Sequence, residues 1–166
     1  MATNMTAAIR RFSLNDTDAV VRLSLQAWEP VFAEWERLLG PELYPVAISG
    51  DWRVSQQETV EKVCHDEEEI ATWVSEVEGE VAGFVSDSLN DENNTGEVEL
   101  LAVSHAPQNR GVGTALNDFA LHKMKEAGMK LAVAGAGGDE GHAPARKSYE
   151  KAGYTALPLA RYYKLL

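Results

Sequence analysis

The chain has 166 residues, of which 45% are hydrophobic and 25% are charged, a composition that suits one globular domain spanning residues 1–166. Acidic side chains outnumber basic ones by 26 to 15 and no stripe of Lys and Arg is visible, which argues against a nucleic-acid or anionic-membrane partner. The single cysteine, Cys64, excludes an internal disulfide and a thiolate metal cluster, and without a signal sequence it predicts a cytoplasmic protein.

The first half of the chain alternates strand-like and helix-like patterns. Residues 8–12 predict a short strand, and apolar residues at helical spacing after Asp16 predict a helix that ends at Pro30. The aromatic-rich segment 28–52 is either cover for the core or a wall of a binding pocket. Two β-like runs separated by Glu78-Gly79 then predict a hairpin over residues 70–88.

The second half is organised around residues 97–127, which predict a strand, a loop and a helix. Arg110-Gly-Val-Gly-Thr-Ala115 stands at the start of that helix. Backbone N–H groups without a helical partner and the helix dipole favour an anion there, and Gly111 and Gly113 allow close approach of a pyrophosphate. The alternative is a plain tight turn. Further strands are predicted at 131–134, 154–157 and 160–165, with a helix over about 143–152.

Three motifs together resemble the GNAT superfamily of N-acetyltransferases. Arg110 to Ala115 fits R-x-x-G-x-A, residues 107–111 form a Pro-x-x-Arg-Gly turn, and Tyr149-Glu-Lys-Ala-Gly-Tyr154 follows. The resemblance covers residues 97–154 and implies an α/β (α+β) fold, with a mixed, mostly antiparallel central sheet of about seven strands flanked by helices. It further implies direct transfer of an acetyl group from acetyl-CoA to a primary amine of a small molecule or peptide, without a metal, by a monomer or homodimer.

The resemblance also implies where coenzyme A binds. The loop would hold the pyrophosphate, through Arg110, Gly111, Val112, Gly113, Thr114 and Ala115. The strand backbone would pair with the pantetheine arm in the gap left by the splayed strand 131–134, at Leu101, Ala102 and Val103. His142 stands where family members usually carry an asparagine that contacts the cofactor, and a histidine can donate one hydrogen bond there.

Proton transfer is expected to involve two carboxylates and a tyrosine. Glu97 and Glu99 lie two apart on a strand, so their side chains face the same way roughly 6–7 Å apart. Mutual repulsion and desolvation would raise a carboxyl pKa toward useful base strength. By the resemblance, Glu97 occupies the position of the general base, with Glu99 as its substitute, and Tyr149 matches a tyrosine that protonates the departing sulfur. The alternatives are solvated edge-strand charges for the carboxylates and a core tyrosine with a satisfied hydroxyl.

Two rival functions remain. Gly111-Val-Gly-Thr-Ala-Leu116 is part of a dinucleotide fingerprint, with Asp139 available for a ribose, but the loop before Gly111 is too long and the third glycine is missing. A non-catalytic acyl-CoA sensor on the same fold would not need Glu97 and Tyr149 together. The aromatic segment, the glycine-rich loop 135–141, Tyr162 and Tyr163 should line the acceptor pocket, and the acidic chain favours a small cationic amine.

Overall fold

The computed structural model describes residues 8–106 and 111–166. Within these two segments the chain forms five strands and four helices. The strands are β1 (Ala8–Arg11), β2 (Ile70–Val77), β3 (Glu80–Asn90), β4 (Thr95–Val103) and β5 (Leu131–Ala134). The helices are α1 (Thr17–Ala47), α2 (Trp52–His65), α3 (Val112–Glu126) and α4 (Ala143–Lys151), and a 3₁₀ turn at Glu140–His142 precedes α4. None of the helices in the described segments is long and apolar enough to cross a lipid bilayer.

The five strands form one mixed sheet in the order β1-β2-β3-β4-β5. The first four are antiparallel neighbours, and β5 runs parallel to β4. The predicted hairpin is present, with β2 and β3 as antiparallel neighbours. Glu78 and Gly79 form its tight two-residue turn, and both take the positive φ values that such a turn requires, 54° and 81°. This arrangement confirms the α+β class with a mixed sheet flanked by helices.

The prediction of about seven strands is wrong, since the sheet of the described residues has five. Residues 154–157 and 160–165 form no strand and follow α4 as irregular backbone. Tyr154 is half-buried, but the apolar side chains after it face solvent, with Leu157 81% and Tyr162 91% exposed. A β-like composition specifies a strand only where a neighbouring strand accepts its backbone hydrogen bonds. Among the described residues, no strand pairs with residues 154–157 or 160–165.

The prediction that Pro30 ends the first helix is also wrong, because α1 continues through it to Ala47. The helical path is interrupted later, at Gly40, where φ is 73° and ψ is 177°. The turn after Pro30 is anchored by burial of Val31 and Phe32. Tertiary packing therefore outweighs the local cost of the proline, roughly 3 kcal/mol in a helix interior.

Helices cover both faces of the sheet. On one face, α1 and α2 pack against the sheet through Val20, Val60, Val74 and Phe84. On the other face, α3 packs through Leu116, Ala120 and Met124. Gly83 of β3 allows the start of α3 to approach the sheet, since a Cβ there would lie 2.9 Å from Cγ1 of Val112. This close packing fixes the position of the first turn of α3.

Asp87 is a buried carboxyl of β3 that lies outside the candidate site described below. Burial raises its pKa from 3.8 to about 6, and the nearby Trp73 indole and Arg11 offset only part of that rise. Because the folded state holds this proton more tightly than the unfolded chain, Asp87 favours folding below pH 3.8, and this contribution is lost as the pH rises through about 6.

We expect Asp87→Asn to raise the free energy of unfolding by about 3 kcal/mol at pH 8 and by little at pH 4, because the amide cannot ionise. Urea unfolding at both pH values measures the difference. Asp118→Asn is the matched control, because Asp118 is an exposed carboxylate on α3. Equal effects of Asp87→Asn at the two pH values would contradict this account.

Candidate active site

A cleft of about 500 Å³ opens where β4 runs on beyond β5. The two strands pair from Thr95 opposite Leu131 to Val98 opposite Ala134, and β4 then continues to Val103. The cleft is bounded by this end of β4, the middle of α1, the start of α3, and α4 with its preceding turn. Among the described residues, the backbone of β4 beyond Val98 therefore has no partner strand on the side of β5, and the end of the strand lines the cleft.

The structure brings most of the predicted cofactor residues to this cleft. Its lining includes Leu101, Ala102, Val103, Gly111, Gly113, Thr114 and His142. Val112 instead points into the core and is 2% exposed. The amide of Ala115 donates to the carbonyl of Gly111 at 2.9 Å, which makes it the first bonded N–H of α3. Arg110 lies outside the described residues.

The start of α3 lines the cleft. Gly111 is the N-cap with φ of 85°, a left-handed conformation that glycine adopts without strain. Among the described residues, the amides of Val112, Gly113 and Thr114 precede the first intrahelical bond, and N–H groups at this position of a helix suit an anion. Lys147 and Lys151 of α4 line the same cleft and add positive charge in an otherwise acidic chain.

These features fit coenzyme A. The N–H groups in the first turn of α3 and two lysines suit its phosphates, and the edge of β4 beyond its pairing with β5 suits the amide groups of its pantetheine arm. Apolar side chains of α1, including Trp28 and Val31, line the cleft as well. Among the residues that the structure describes, no three His, Cys, Asp or Glu side chains are grouped to hold a metal ion.

His142 is held at the cleft by a small polar network. Its Nδ1 lies 2.7 Å from Oδ2 of Asp139, and Nε1 of Trp35 donates to the same oxygen at 3.2 Å. Burial alone would raise the pKa of Asp139, but the hydrogen bonds and charge of His142, with the Trp35 bond, hold it below its ordinary value. Asp139 therefore anchors the ring of His142 through Nδ1 and orients it at the cleft.

Two contacts that support the cleft were not predicted from the sequence, one made by Asp139 and one made by Asn117. Asp139 was considered only as a ribose ligand, although an Asp three residues before a His is a local signal for a capped turn, and it accepts from the amide of His142 at 3.2 Å. Asn117 is fully buried and donates to Oγ of Ser148 at 2.8 Å, which ties α3 to α4 beside the cleft. No local sequence pattern predicts the contact between Asn117 and Ser148.

The structure does not bring Glu97 and Tyr149 together in the cleft. Glu97 is exposed on β4, opposite Val133 of β5. Glu99 falls at an irregularity between β3 and β4 and accepts from Oγ of Ser88 at 2.5 Å. Neither carboxylate is among the cleft-lining residues of the described segments.

Tyr149 lies on α4 next to Ser148, which does line the cleft. Its ring packs edge-on against Tyr154, with centroids 5.5 Å apart. Burial, with a smaller contribution from Tyr154, raises the pKa of Tyr149 to about 12. Its hydroxyl therefore stays protonated at neutral pH.

Part of the expected acceptor wall is present. Trp28, Pro30 and Val31 of α1 line the cleft, and beyond them Phe32 stacks on Trp52 with centroids 4.4 Å apart. From the glycine-rich loop, Gly141 packs against α1, since a Cβ there would lie 2.6 Å from the Cα of Val31. Neither Tyr162 nor Tyr163 is among the lining residues of the cleft.

Comparison with known proteins identifies relatives of this arrangement. The model of the Acetyltransferase (GNAT) family matches residues 28–154. A comparison with curated protein sequences gives no match. Similar solved structures include a GNAT-family acetyltransferase from Desulfovibrio desulfuricans, with 22% identity, a TM-score of 0.65, and coverage of 92% of this chain and 87% of that one.

Two further structures are similar in fold. The aminoglycoside antibiotic 6′-N-acetyltransferase AAC(6′)-IG from Acinetobacter haemolyticus has 14% identity and a TM-score of 0.66, with 96% and 98% of the two chains covered. AAC(6′)-Iy, in complex with the bisubstrate analogue CoA-S-monomethyl-acetylneamine, has 13% identity and a TM-score of 0.57, with 97% and 99% covered. At these identities the likeness concerns the fold.

Proposed function

Because the chain belongs to the Acetyltransferase (GNAT) family, and is therefore an acyltransferase, we propose that it transfers the acetyl group of acetyl-CoA to a primary amine of a small molecule or peptide. The observation that carries the proposal is that one cleft joins the edge of β4 beyond its pairing with β5 to the N-terminus of α3. A pantetheine arm along the strand would place its pyrophosphate near the amides of Gly113 and Thr114.

The reaction joins the amine nitrogen to the thioester carbonyl carbon as the carbon–sulfur bond breaks. The attacking amine must be neutral and gives up one proton, while the departing thiolate takes one up to become the free thiol. Developing charge on the carbonyl oxygen is stabilised by hydrogen-bond donors at the site. The protein's part is to position the two reactants and to supply an acceptor and a donor for these protons.

Glu97 is proposed to accept the amine proton through a water molecule. Its exposure on β4 supports this role, because a bridging water can reach it from solvent. Glu99 is the substitute if Glu97 fails the test, although Glu99 is engaged with Ser88.

Tyr149 is proposed to donate to the departing sulfur. With its pKa raised to about 12, Tyr149 is protonated at neutral pH and is a weak acid. Transfer to a thiolate of pKa about 8.5 is uphill by roughly 3.5 units, or about 5 kcal/mol. Tyr149 therefore acts chiefly as a hydrogen-bond donor to the developing charge, and its contribution is smaller than that of Glu97.

The acceptor is proposed to be a small cationic amine. A net charge of −11 attracts a cation, and Trp28 offers an aromatic wall to it. The aminoglycoside named for AAC(6′)-IG is a small-molecule acceptor of this kind. A peptide amine remains the alternative within the same chemistry.

Thermal unfolding and thiol release together test the proposal. Acetyl-CoA and coenzyme A should raise the melting temperature, because a ligand that binds only the folded state stabilises it, whereas NAD should not. Thiol release from acetyl-CoA should then require an added amine. Stabilisation by NAD alone would favour a dinucleotide-binding domain, and stabilisation by acetyl-CoA without thiol release from any of a broad set of amines would favour a sensor.

A further inference from the structure

We propose that Glu140 selects the acceptor by binding a second positive charge on it, so that the preferred substrate is a diamine or another small polycation rather than a monoamine. This inference rests on the proposed function, because it concerns the amine that receives the acetyl group. It is carried by one carboxylate of the cleft, by the side chains around it and by the distribution of charge along α4.

Glu140 offers a negative charge to the cleft. It belongs to the 3₁₀ turn before α4 and is exposed. Among the cleft-lining residues that the structure describes, it is the one carboxylate. The carboxylate of the preceding residue, Asp139, is engaged with His142 at 2.7 Å. Glu140 takes part in none of the ion pairs formed within the described segments, so its charge is available to a ligand.

Glu140 lies at the end of the cleft that α1 forms. The next residue, Gly141, packs so closely on α1 that a Cβ there would lie 2.6 Å from the Cα of Val31. Trp28 is three residues before Val31, so the two lie on the same face of the helix. Both line the cleft. A carboxylate and an indole at the same end of a cleft suit an alkylammonium group, which is attracted to the negative charge and to the face of the ring.

The lysines of the cleft lie further along α4. Lys147 and Lys151 line the cleft, and Lys151 is the last residue of the helix. At a rise of ~1.5 Å per residue, Lys151 is roughly 12 Å from the start of α4, whereas Glu140 precedes that start. Ser148, beside Lys147, accepts from Asn117 of α3 at 2.8 Å, so the lysines lie on the side of α3. The arrangement places an anionic cofactor toward the lysines and a cationic group toward Glu140.

The charge that Glu140 recognises is that of a second nitrogen of the acceptor, not of the reacting one. The reacting amine attacks the thioester in its neutral form. A carboxylate beside an ammonium group stabilises the charged form, which would oppose the loss of the proton. Glu140 therefore suits an ammonium group that stays charged while the other amine reacts. A monoamine has no group for this position and should be the poorer substrate.

Pairs of amines that differ in one charge test the inference. We expect kcat/KM for α,ω-diaminoalkanes to exceed that for 1-aminoalkanes of equal length by roughly tenfold at low salt, more than two equivalent amines alone would give, and the ratio should fall as salt screens the charges. Glu140→Gln should bring the ratio close to that of two equivalent amines, and Glu140→Lys should lower it further. Thiol release at saturating acetyl-CoA measures each rate. Glu150→Gln is the matched control, because Glu150 is an exposed glutamate of α4 outside the described lining of the cleft, and it should keep the wild-type ratio.

The outcomes separate this inference from the proposed function. Acetylation of both kinds of amine without a preference for diamines, or a preference that survives Glu140→Gln, would overturn the inference and leave the proposed function standing. An equal loss with both kinds of amine in Glu140→Gln would also overturn it, because Glu140 would then serve every acceptor alike. Release of no thiol with any amine would overturn the proposed function and this inference with it. Circular dichroism and the KM for acetyl-CoA confirm that each variant keeps its fold and its cofactor site.

Discussion

Replacing Gly113 with aspartate is expected to lower kcat/KM for acetyl-CoA by at least ~100-fold and to leave the fold intact. A Cβ at this position would lie 3.4 Å from Cγ2 of Val103 and 3.9 Å from Oγ of Ser148, which are ordinary contact distances. Both neighbours line the cleft, so the new carboxylate would enter it beside the amides proposed to hold the pyrophosphate. Two like charges about 4 Å apart near a protein surface repel by about 4 kcal/mol, and each ~1.4 kcal/mol is a factor of ten.

Two variants accompany the Gly113→Asp measurement. Gly135→Asp adds the same charge where nothing lies within 4 Å of the new Cβ, and it should keep nearly full kcat/KM. Gly113→Ala adds only a methyl group and should fall between the wild type and Gly113→Asp. Wild-type kinetics for a folded Gly113→Asp protein would show that the pyrophosphate does not bind at this turn.

Glu97→Gln is expected to lower kcat by about 10²- to 10⁴-fold with little change in KM for acetyl-CoA, because general-base catalysis contributes rate enhancements of that size. The change preserves the size and polarity of an exposed side chain, so the free energy of unfolding should stay within about 0.5 kcal/mol of wild type. Steady-state rates of thiol release with a saturating amine measure the effect.

Two companion variants sharpen the assignment of the proton acceptor and donor. Tyr149→Phe should cost less than Glu97→Gln, because the raised pKa of Tyr149 makes it a weak acid. Full activity of Glu97→Gln together with a large loss for Glu99→Gln would transfer the role to Glu99. Full activity of both glutamine variants would show that water or another group accepts the amine proton.

Short sequence patterns predicted much of the fold. Glu78-Gly79 specified the β2–β3 hairpin because both residues can take positive φ. Apolar spacing specified α3, and Gly111 specified its left-handed N-cap. Each of these features depends on residues close together in the chain, which is why a single sequence suffices to predict them.

The features that sequence reasoning missed depend on distant partners. Trp35 and Asp139 are 104 positions apart, and their contact gives no periodic signal. The passage of α1 through Pro30 depends on packing around Val31 and Phe32. The late strands were predicted from local composition, whereas a strand also needs a neighbouring strand, and residues 154–166 pair with none in the described part of the chain.

The central claim is that this cleft moves an acetyl group from acetyl-CoA to an amine. Mass spectrometry of reactions with acetyl-CoA deuterated in its acetyl group tests it most directly, across a set of small cationic amines and peptides. We predict that the labelled acetyl group appears on a primary amine in equal amount to the free thiol released, and that Gly113→Asp suppresses both. Thiol release with labelled acetate and no labelled amine, or no turnover with any amine tested, would contradict the claim.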